Sequence, residues 1–340
     1  KTPGSAKSWV DAKLINNNKN LQEIKLKYRG DNPSNWLRAK KSFKIKTKKN
    51  QLINGNRNIS YHLYDVEKFI PFIISQKMDI LSQKANLVEV YINGEIKGLY
   101  VEHEKIDELF LRQNSIMPVN IYKGENHTMS FYIGLNNNLF NNPGVWSKLA
   151  NFNQNKASNN DDLKFFLETL NSNHSNLDSS LKNHIDLDEM SKLQAMLTIT
   201  QNSHNDWFHN MRLISDPWNG NITQLIIDPE ISEGRGASFL DFSSNDLNAF
   251  LNKNADFIHK KYFWLYNYLV NENVVSYVEE YYKNVKEDLT KIEKKEPYNF
   301  QKLNYTEKFE NVINVLKNNR NKILKLLESE PAASWNKTGS

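Results

Sequence analysis

Apolar and polar residues alternate with a period of two along Leu21-Gln22-Glu23-Ile24-Lys25-Leu26-Lys27-Tyr28, as a half-buried strand requires. The same alternation returns in Lys40-Lys41-Ser42-Phe43-Lys44-Ile45-Lys46-Thr47-Lys48, after a loop of Gly, Asn, Pro and Ser. Val66, Phe69, Ile70, Ile73 and Leu81 then recur at helical spacing, which predicts an amphipathic helix over Tyr64–Ser82 that Pro71 should kink or begin. Leu87–Ile92 and Glu95–Val101 alternate on either side of Asn93-Gly94. Asn-Gly in that position is the strongest short-range hairpin signal, because both turn residues need positive φ. A short helix over Lys105–Arg112 follows, with Ile106, Leu109 and Phe110 on one side.

Further along, helices are predicted over Asp161–Leu170, capped near Asn160 with Phe165, Phe166 and Leu170 inward, and over Asp186–Gln201. Met190, Leu193, Leu197 and Thr200 mark the buried face of the second. Two strand-length apolar runs, Met211–Ile214 and Leu225–Ile227, flank a segment with both Asp216-Pro217 and Asn219-Gly220, and so read as a hairpin. Helices rich in Lys, Glu, Tyr and Leu fill Asp246–Glu328, broken near Pro297. The polar, Asn-rich residues 1–20 read as a loosely structured lead-in, with structure beginning near Leu21. Gly124–Asn160 reads as an insertion without chemistry, and residues 331–340 as a disordered tail. The expected division is a strand-rich lobe over residues 21–104 and a helical lobe over 105–330.

Composition narrows the chemistry. The chain has 340 residues, long enough for one large domain or two lobes with a substantial core, and no apolar run reaches the length of a membrane span. Its 44 basic and 39 acidic residues leave a net charge of +5, which does not by itself imply nucleic acid. Cysteine is absent, which excludes disulfides, thiolate metal sites and cysteine nucleophiles.

Candidate chemistry lies in two stretches. In Ser203–Glu230 the predicted hairpin gathers Asp206 and Asn210 at the entry of its first strand beside Asp228 and Glu230 at the exit of its second. Carboxylates and a carboxamide together suit a hard divalent cation that carries nucleotide phosphates, although Asp and Asn taken singly belong to loops. Arg38–Lys49 holds seven basic residues and no acid, with Lys44 and Lys46 on one strand face and Phe43 and Ile45 on the other. Such a run reads as a solvated face, as a patch for a phosphate polymer or membrane, or as a strand whose lysine reaches a nucleotide phosphate. The order of elements, from lysine strand through helix and hairpin to a long helix feeding an Asp/Asn loop and a second Asp, is that of protein kinases. A GxGxxG loop is missing, and the Asp206 to Asn210 spacing is one residue short of the usual catalytic loop, which points to an atypical kinase.

Several segments carry a resemblance to a known family. They are Tyr28-Arg29-Gly30 with Ser34 and Trp36; Lys40-Lys41-Ser42-Phe43-Lys44-Ile45-Lys46; Val90-Tyr91-Ile92-Asn93-Gly94-Glu95 with Gly98-Leu99-Tyr100; Glu104-Lys105-Ile106-Asp107; Ile121-Tyr122-Lys123; and Asp206 with His209-Asn210 and Asp228. In this shared order the chain resembles the CotH-type kinases, named for spore coat protein H. The resemblance implies an α+β, two-lobed atypical protein-kinase-like fold, with a strand-rich N-terminal lobe and a helical C-terminal lobe. It implies transfer of the γ-phosphoryl of ATP, with Mg²⁺ or Mn²⁺, to Ser/Thr or other hydroxyls of a protein substrate. By the same resemblance Lys46 holds the α- and β-phosphates with Lys44 as the fallback. Glu104 contacts nucleotide or metal, and Glu67 is the weaker candidate for a lysine ion pair. Asp206 accepts or orients the substrate hydroxyl proton, while Asn210 and Asp228 bind the metal. Asn205 stands where a second acid is expected beside Asp206, and Glu230 replaces the second acid of the family's Asp-x-Asp. A monomer without nucleic-acid partner or membrane span is expected, with location tilted towards spore coat or export. The rival classes are a degenerate scaffold of the same family, an anionic-polymer-binding module, and a metal-dependent phosphoester hydrolase.

Overall fold

A computed structural model describes residues 8–15, 21–30, 38–126, 138–152, 158–172, 183–234, 239–298 and 304–329. Ser34 and Trp36, most of the expected lead-in and the expected tail lie outside the described residues. The chain forms two compact units, the first of residues 1–65, 83–117 and 285–306, the second of 66–82, 118–284 and 307–340. This differs from the division expected at residue 104. The helix Val66–Lys77 belongs to the second unit, and residues 105–117 and 285–306 belong to the first.

The first unit is built on an antiparallel sheet of six strands: β1 (Val10–Ile15), β2 (Leu21–Tyr28), β3 (Phe43–Thr47), β4 (Asn58–Leu63), β5 (Ala85–Ile92) and β6 (Glu95–Glu104), in the order β1-β2-β3-β4-β6-β5. Together with the helices of the second unit they make the mixed α+β architecture the sequence predicts. β1 corrects the reading of residues 1–20 as a loosely structured lead-in with structure beginning near Leu21. Val10, Ala12 and Leu14 alternate with Asp11 and Lys13, and pairing of Val10–Ile15 with Leu21–Leu26 lets Ala12 and Leu14 pack on the core. Six residues were too short a run for the alternation to stand out among the neighbouring asparagines.

Phe43, Ile45, Ile59, Tyr61 and Tyr100 fill one face of this sheet, with Phe43 stacked on Tyr61 at 4.7 Å. The β5–β6 turn is Asn93-Gly94 with φ of 54° and 82°, the doubly left-handed conformation that the dipeptide predicts. Gly98 has φ of 81°, and a Cβ there would fall 1.9 Å from the Glu296 carboxylate. That carboxylate accepts from Leu99 N at 3.2 Å, Tyr305 Oη at 2.8 Å and Lys40 Nζ at 2.9 Å, so only glycine leaves room for it.

The second unit has a four-stranded antiparallel sheet of β7 (Asn120–Gly124), β8 (Trp146–Ala150), β9 (Met211–Ser215) and β10 (Ile222–Gln224), in the order β10-β9-β7-β8. β8 corrects the reading of Gly124–Asn160 as an insertion. Leu139, Phe140 and Trp146 are core residues, and the Trp146 indole donates to Leu139 O at 2.7 Å. The β9–β10 hairpin is present, but its second strand is Ile222–Gln224, and Leu225–Ile227 runs on beyond the ladder. Leu225 N still bonds Arg212 O at 2.9 Å, while Ile226 bridges to Ser82. Helices Asp161–Asn171 and Leu187–Thr200 match their apolar spacing, except that Phe165 points to solvent while Leu163, Phe166 and Leu167 turn inward. The Asp186 carboxylate caps the second helix through Asp188 N and Glu189 N. Helices Asp246–Leu251, Ala255–Tyr266, Val274–Glu293 and Tyr305–Ser329 complete the fold, with Pro297 in the last break. No described helix is long and apolar enough to cross a membrane.

Candidate active site

Helix Leu187–Thr200 ends on Gln201 in the left-handed conformation, φ 49°, and turns into a loop whose scaffold is two buried amides. Asn202 Oδ1 accepts from His204 N at 3.2 Å and Glu230 N at 3.0 Å, and its Nδ2 donates to Asn205 Oδ1 at 2.6 Å. Asn205, fully buried, donates through Nδ2 to Asn210 O at 2.7 Å and Ile227 O at 2.8 Å. Its own carbonyl accepts from Ser244 Oγ and Asn245 Nδ2. A carboxylate at position 205 would face two carbonyl oxygens with no proton to give them. The missing second acid is therefore a structural amide that ties the loop to the exit of the hairpin.

On that scaffold Asp206 Oδ1 accepts from Phe208 N and His209 N, both at 2.8 Å, and from His209 Nδ1 at 3.0 Å. Burial alone would push the Asp206 carboxyl up, but the His209 ring and the two backbone N–H groups outweigh it and hold it below the usual range. The hydrogen bond that His209 donates to Asp206 in turn raises the imidazole above its ordinary value, against the opposing effect of burial. Asp206 is thus an ionised carboxylate whose orientation is fixed by its own turn.

Asn210 and Asp228 both take left-handed backbone, φ 58° and 44°, a conformation Asn and Asp tolerate better than other side chains. His204 brings them together. Its Nδ1 lies 2.7 Å from Asp228 O, 3.3 Å from Asp228 Oδ2 and 3.3 Å from Asn210 Nδ2, and Asn210 Nδ2 also donates to His204 O at 3.0 Å. The Asp228 carbonyl can only accept, so Nδ1 of His204 carries a proton. Glu230 is engaged by Ser203, whose Oγ donates to Oε1 at 3.3 Å.

A residue the sequence reading passed over completes the cluster. Lys68, in the first turn of helix Val66–Lys77, donates to Asp228 Oδ1 at 3.1 Å and Oδ2 at 3.2 Å. Pro71 sits inside the same helix and has no N–H for the carbonyl of Glu67 four residues back. Ile231 N takes that carbonyl instead, at 2.9 Å. Helix Val66–Lys77 and the Asp228–Ile231 segment are thereby stitched together beside Lys68. The signal available in the sequence was a proline within a strongly apolar helix, which leaves one carbonyl seeking a partner.

The first unit carries the other expected residues. Lys46 pairs across the sheet with Lys25 and Asn58, and Lys44 with Lys27 and Ser60, while Ile45 pairs with Ile59 and Ile59 with Glu104. Cross-strand partners share a face, so Glu104 projects from the core face and Lys44 and Lys46 from the opposite one. The register therefore keeps Lys46 and Glu104 apart. Lys46 lines a predominantly basic groove with Lys13, Lys25, Lys48, Lys49 and Arg57, in which Asp11 and Glu23 pair with Lys25 and Lys48, and Lys27 and Lys44 lie 4.7 and 6.0 Å from the Trp9 ring. Glu104 is buried, which pushes its carboxyl up, and its Oε1 accepts from Lys84 N at 2.9 Å. Glu67 belongs to the second unit, where its carbonyl holds Ile231.

Among the described residues no group of three or more His, Asp and Glu side chains could hold a metal by itself. Asp228, with Asn210 beside it, supplies oxygen donors of the type Mg²⁺ and Mn²⁺ take, and such ions commonly use one or two protein ligands and complete their shell with phosphate and water. The donor chemistry fits.

The CotH kinase protein family matches residues 26–324 of the 340. The chain belongs to that family. A comparison with curated proteins finds no match. The family match spans all the resembling segments, from Tyr28 to Asp228, together with the helical part beyond them.

Proposed function

We propose that this member of the CotH kinase family transfers the γ-phosphoryl of ATP to a Ser/Thr hydroxyl of a protein substrate, with Mg²⁺ or Mn²⁺. The observation that carries the reading is the meeting of Asn210 and Asp228 around His204, within the loop that begins at Asp206. Asn210 and Asp228 would hold the metal, which supplies charge neutralisation at the phosphates when bound. Asp206, ionised at neutral pH, orients the substrate hydroxyl and accepts its proton as the hydroxyl oxygen bonds to the γ-phosphorus and the bond to the β-phosphate oxygen breaks with its electron pair. Lys46, with Lys44 as fallback, remains the strand lysine assigned to the phosphates by family pattern. Glu104, which projects from the opposite face of the sheet, would meet the nucleotide or metal in place of Lys46 and not together with it.

The test is transfer of label from γ-labelled ATP to protein in the presence of Mg²⁺ or Mn²⁺, alongside calorimetric titration with ATP. Absence of metal-dependent ATP binding at millimolar concentration would remove the reading. A second reading draws on the basic face of β2 and β3 around Trp9, which suits an anionic polymer. Binding of heparin or polyphosphate without any ATP binding would favour it.

A further inference from the structure

We propose that Lys68 is a phosphate-binding residue of this site, a second cation that meets the nucleotide beside Asp228. The inference rests on the kinase reading above and adds a residue to which the family pattern gave no role.

Three observations carry it. The Lys68 ammonium lies within 3.2 Å of both oxygens of the carboxylate assigned to the metal, so its charge already stands where the phosphates would be held. Both side chains are accessible, 36% and 40% exposed, and a lysine–carboxylate pair this wet contributes little to stability. Stability alone is a weak reason for so constrained an arrangement. The arrangement is also held by backbone. Pro71 frees the Glu67 carbonyl, Ile231 N bonds it, and the side chain that follows Glu67 is thereby fixed against the residue three before Ile231. A hydrogen bond between backbone groups one and three residues away from an exposed ion pair is what keeps a flexible lysine in register with its target. A metal held by Asp228 would compete with the ammonium for the carboxylate, and phosphate oxygens are the anions the ammonium would then take, a role lysine suits as a compact point charge.

Lys77 provides the control. It lies in the last turn of the same helix, is similarly exposed and pairs with Glu272 at 2.9 Å, away from Asp228. Calorimetry with Mg²⁺ and ATP should give a Kd at least 10-fold weaker for Lys68→Met, with most of the affinity recovered in Lys68→Arg. Lys77→Met should bind as the wild type does, and the melting temperature of Lys68→Met without nucleotide should stay within a few degrees. An ATP analogue acylated on its terminal phosphate gives a direct readout. The lysine amine attacks the acyl carbon, an amide forms, the acyl–oxygen bond breaks and ATP leaves with the electron pair while the amine proton goes to solvent. Peptide mapping should find Lys68 acylated, and excess ATP should suppress it.

Unchanged ATP affinity in Lys68→Met, with Lys68 unlabelled while the wild type binds ATP, would overturn the inference and leave the kinase reading standing. Tighter binding of Mn²⁺ alone to Lys68→Met, with ATP affinity intact, would also overturn it by showing a mere counterion. A wild-type protein that binds no ATP would remove the kinase reading and this inference with it.

Discussion

Asp206 and Asp228 are both acids of the same loop system, yet their surroundings give them separate tasks. Asp206 is held by two backbone N–H groups and the His209 ring, whereas Asp228 is met by Lys68 and His204. Asp206→Asn keeps an oxygen for both N–H groups and removes the charge. It should retain ATP binding and fold while lowering turnover by roughly 10²-fold or more, the range of lost acid–base function. Asp228→Ala should weaken metal-dependent ATP binding and turnover together, read by calorimetry and labelled transfer. The Asp206–His209 pair also fixes a pH dependence. His209 has a raised folded value, so its contribution is complete below the unfolded value and disappears as pH rises through the folded one; Asp206 has a lowered value, so its contribution disappears as pH falls through it. The stability cost of Asp206→Asn should therefore be largest between about pH 4 and about pH 6.5, the ordinary values of the two groups, and shrink towards pH 9. Denaturation midpoints of the two proteins across that range are the measurement. Asn205 makes the complementary case. Asn205→Asp would replace two donated hydrogen bonds by a buried charge facing carbonyl oxygens, and should cost about 3 kcal/mol or more, with Asn205→Ala costing less than the acid.

Elements with a local cause were legible before any coordinates. Asn93-Gly94 dictates its own turn, and Asp186 announces the helix that feeds the loop. Asp206, Asn210 and Asp228 stand out in the sequence as polar residues at the ends of apolar runs, and the structure brings the last two to one ring, that of His204. What escaped depended on partners distant in sequence. β1 is a strand because β2 is there to pair with it, Trp146 is core because the β7–β8 ladder carries it inward, and Lys68 faces Asp228 across 160 residues. The opposite faces of Lys46 and Glu104 follow from register through β4, which alternation within each strand cannot reveal. Pro71 links the two kinds of knowledge. Its effect on the helix could be anticipated, but the acceptor of the freed carbonyl's bond could not. Pro71→Ala restores an N–H that competes with Ile231 for Glu67 O, so it should lower exchange protection at the Ile231 amide and weaken ATP binding by a few-fold, although alanine is the better helix former. Unchanged protection at Ile231, measured by native-state hydrogen exchange, would show that the stitch does not depend on the proline.

At the scale of the molecule, the chain passes repeatedly between its two units, with residues 66–82 and 285–306 each interrupting the other unit's run. Neither unit is a contiguous piece of sequence, so no single cut in the chain separates one from the other, and binding is best followed in the full chain. The metal ligands assigned here, Asn210 and Asp228, and Lys68 all belong to the second unit. A ligand that binds only the native state adds RT ln(1 + [L]/Kd), about 2.7 kcal/mol at a hundredfold excess over Kd. ATP with Mg²⁺ or Mn²⁺ should accordingly raise the melting temperature of the full chain by a few degrees, and EDTA should abolish the rise while leaving the nucleotide-free melt unchanged. The second half of that expectation follows from the site itself. Without nucleotide, the Lys68 ammonium already balances the Asp228 carboxylate, so the fold does not need the metal to neutralise it. Asp228→Ala should erase the nucleotide-dependent rise, whereas Asp206→Asn should keep it. A rise that survives EDTA, or one that persists in Asp228→Ala, would mean that ATP binds without the metal ligands assigned to it.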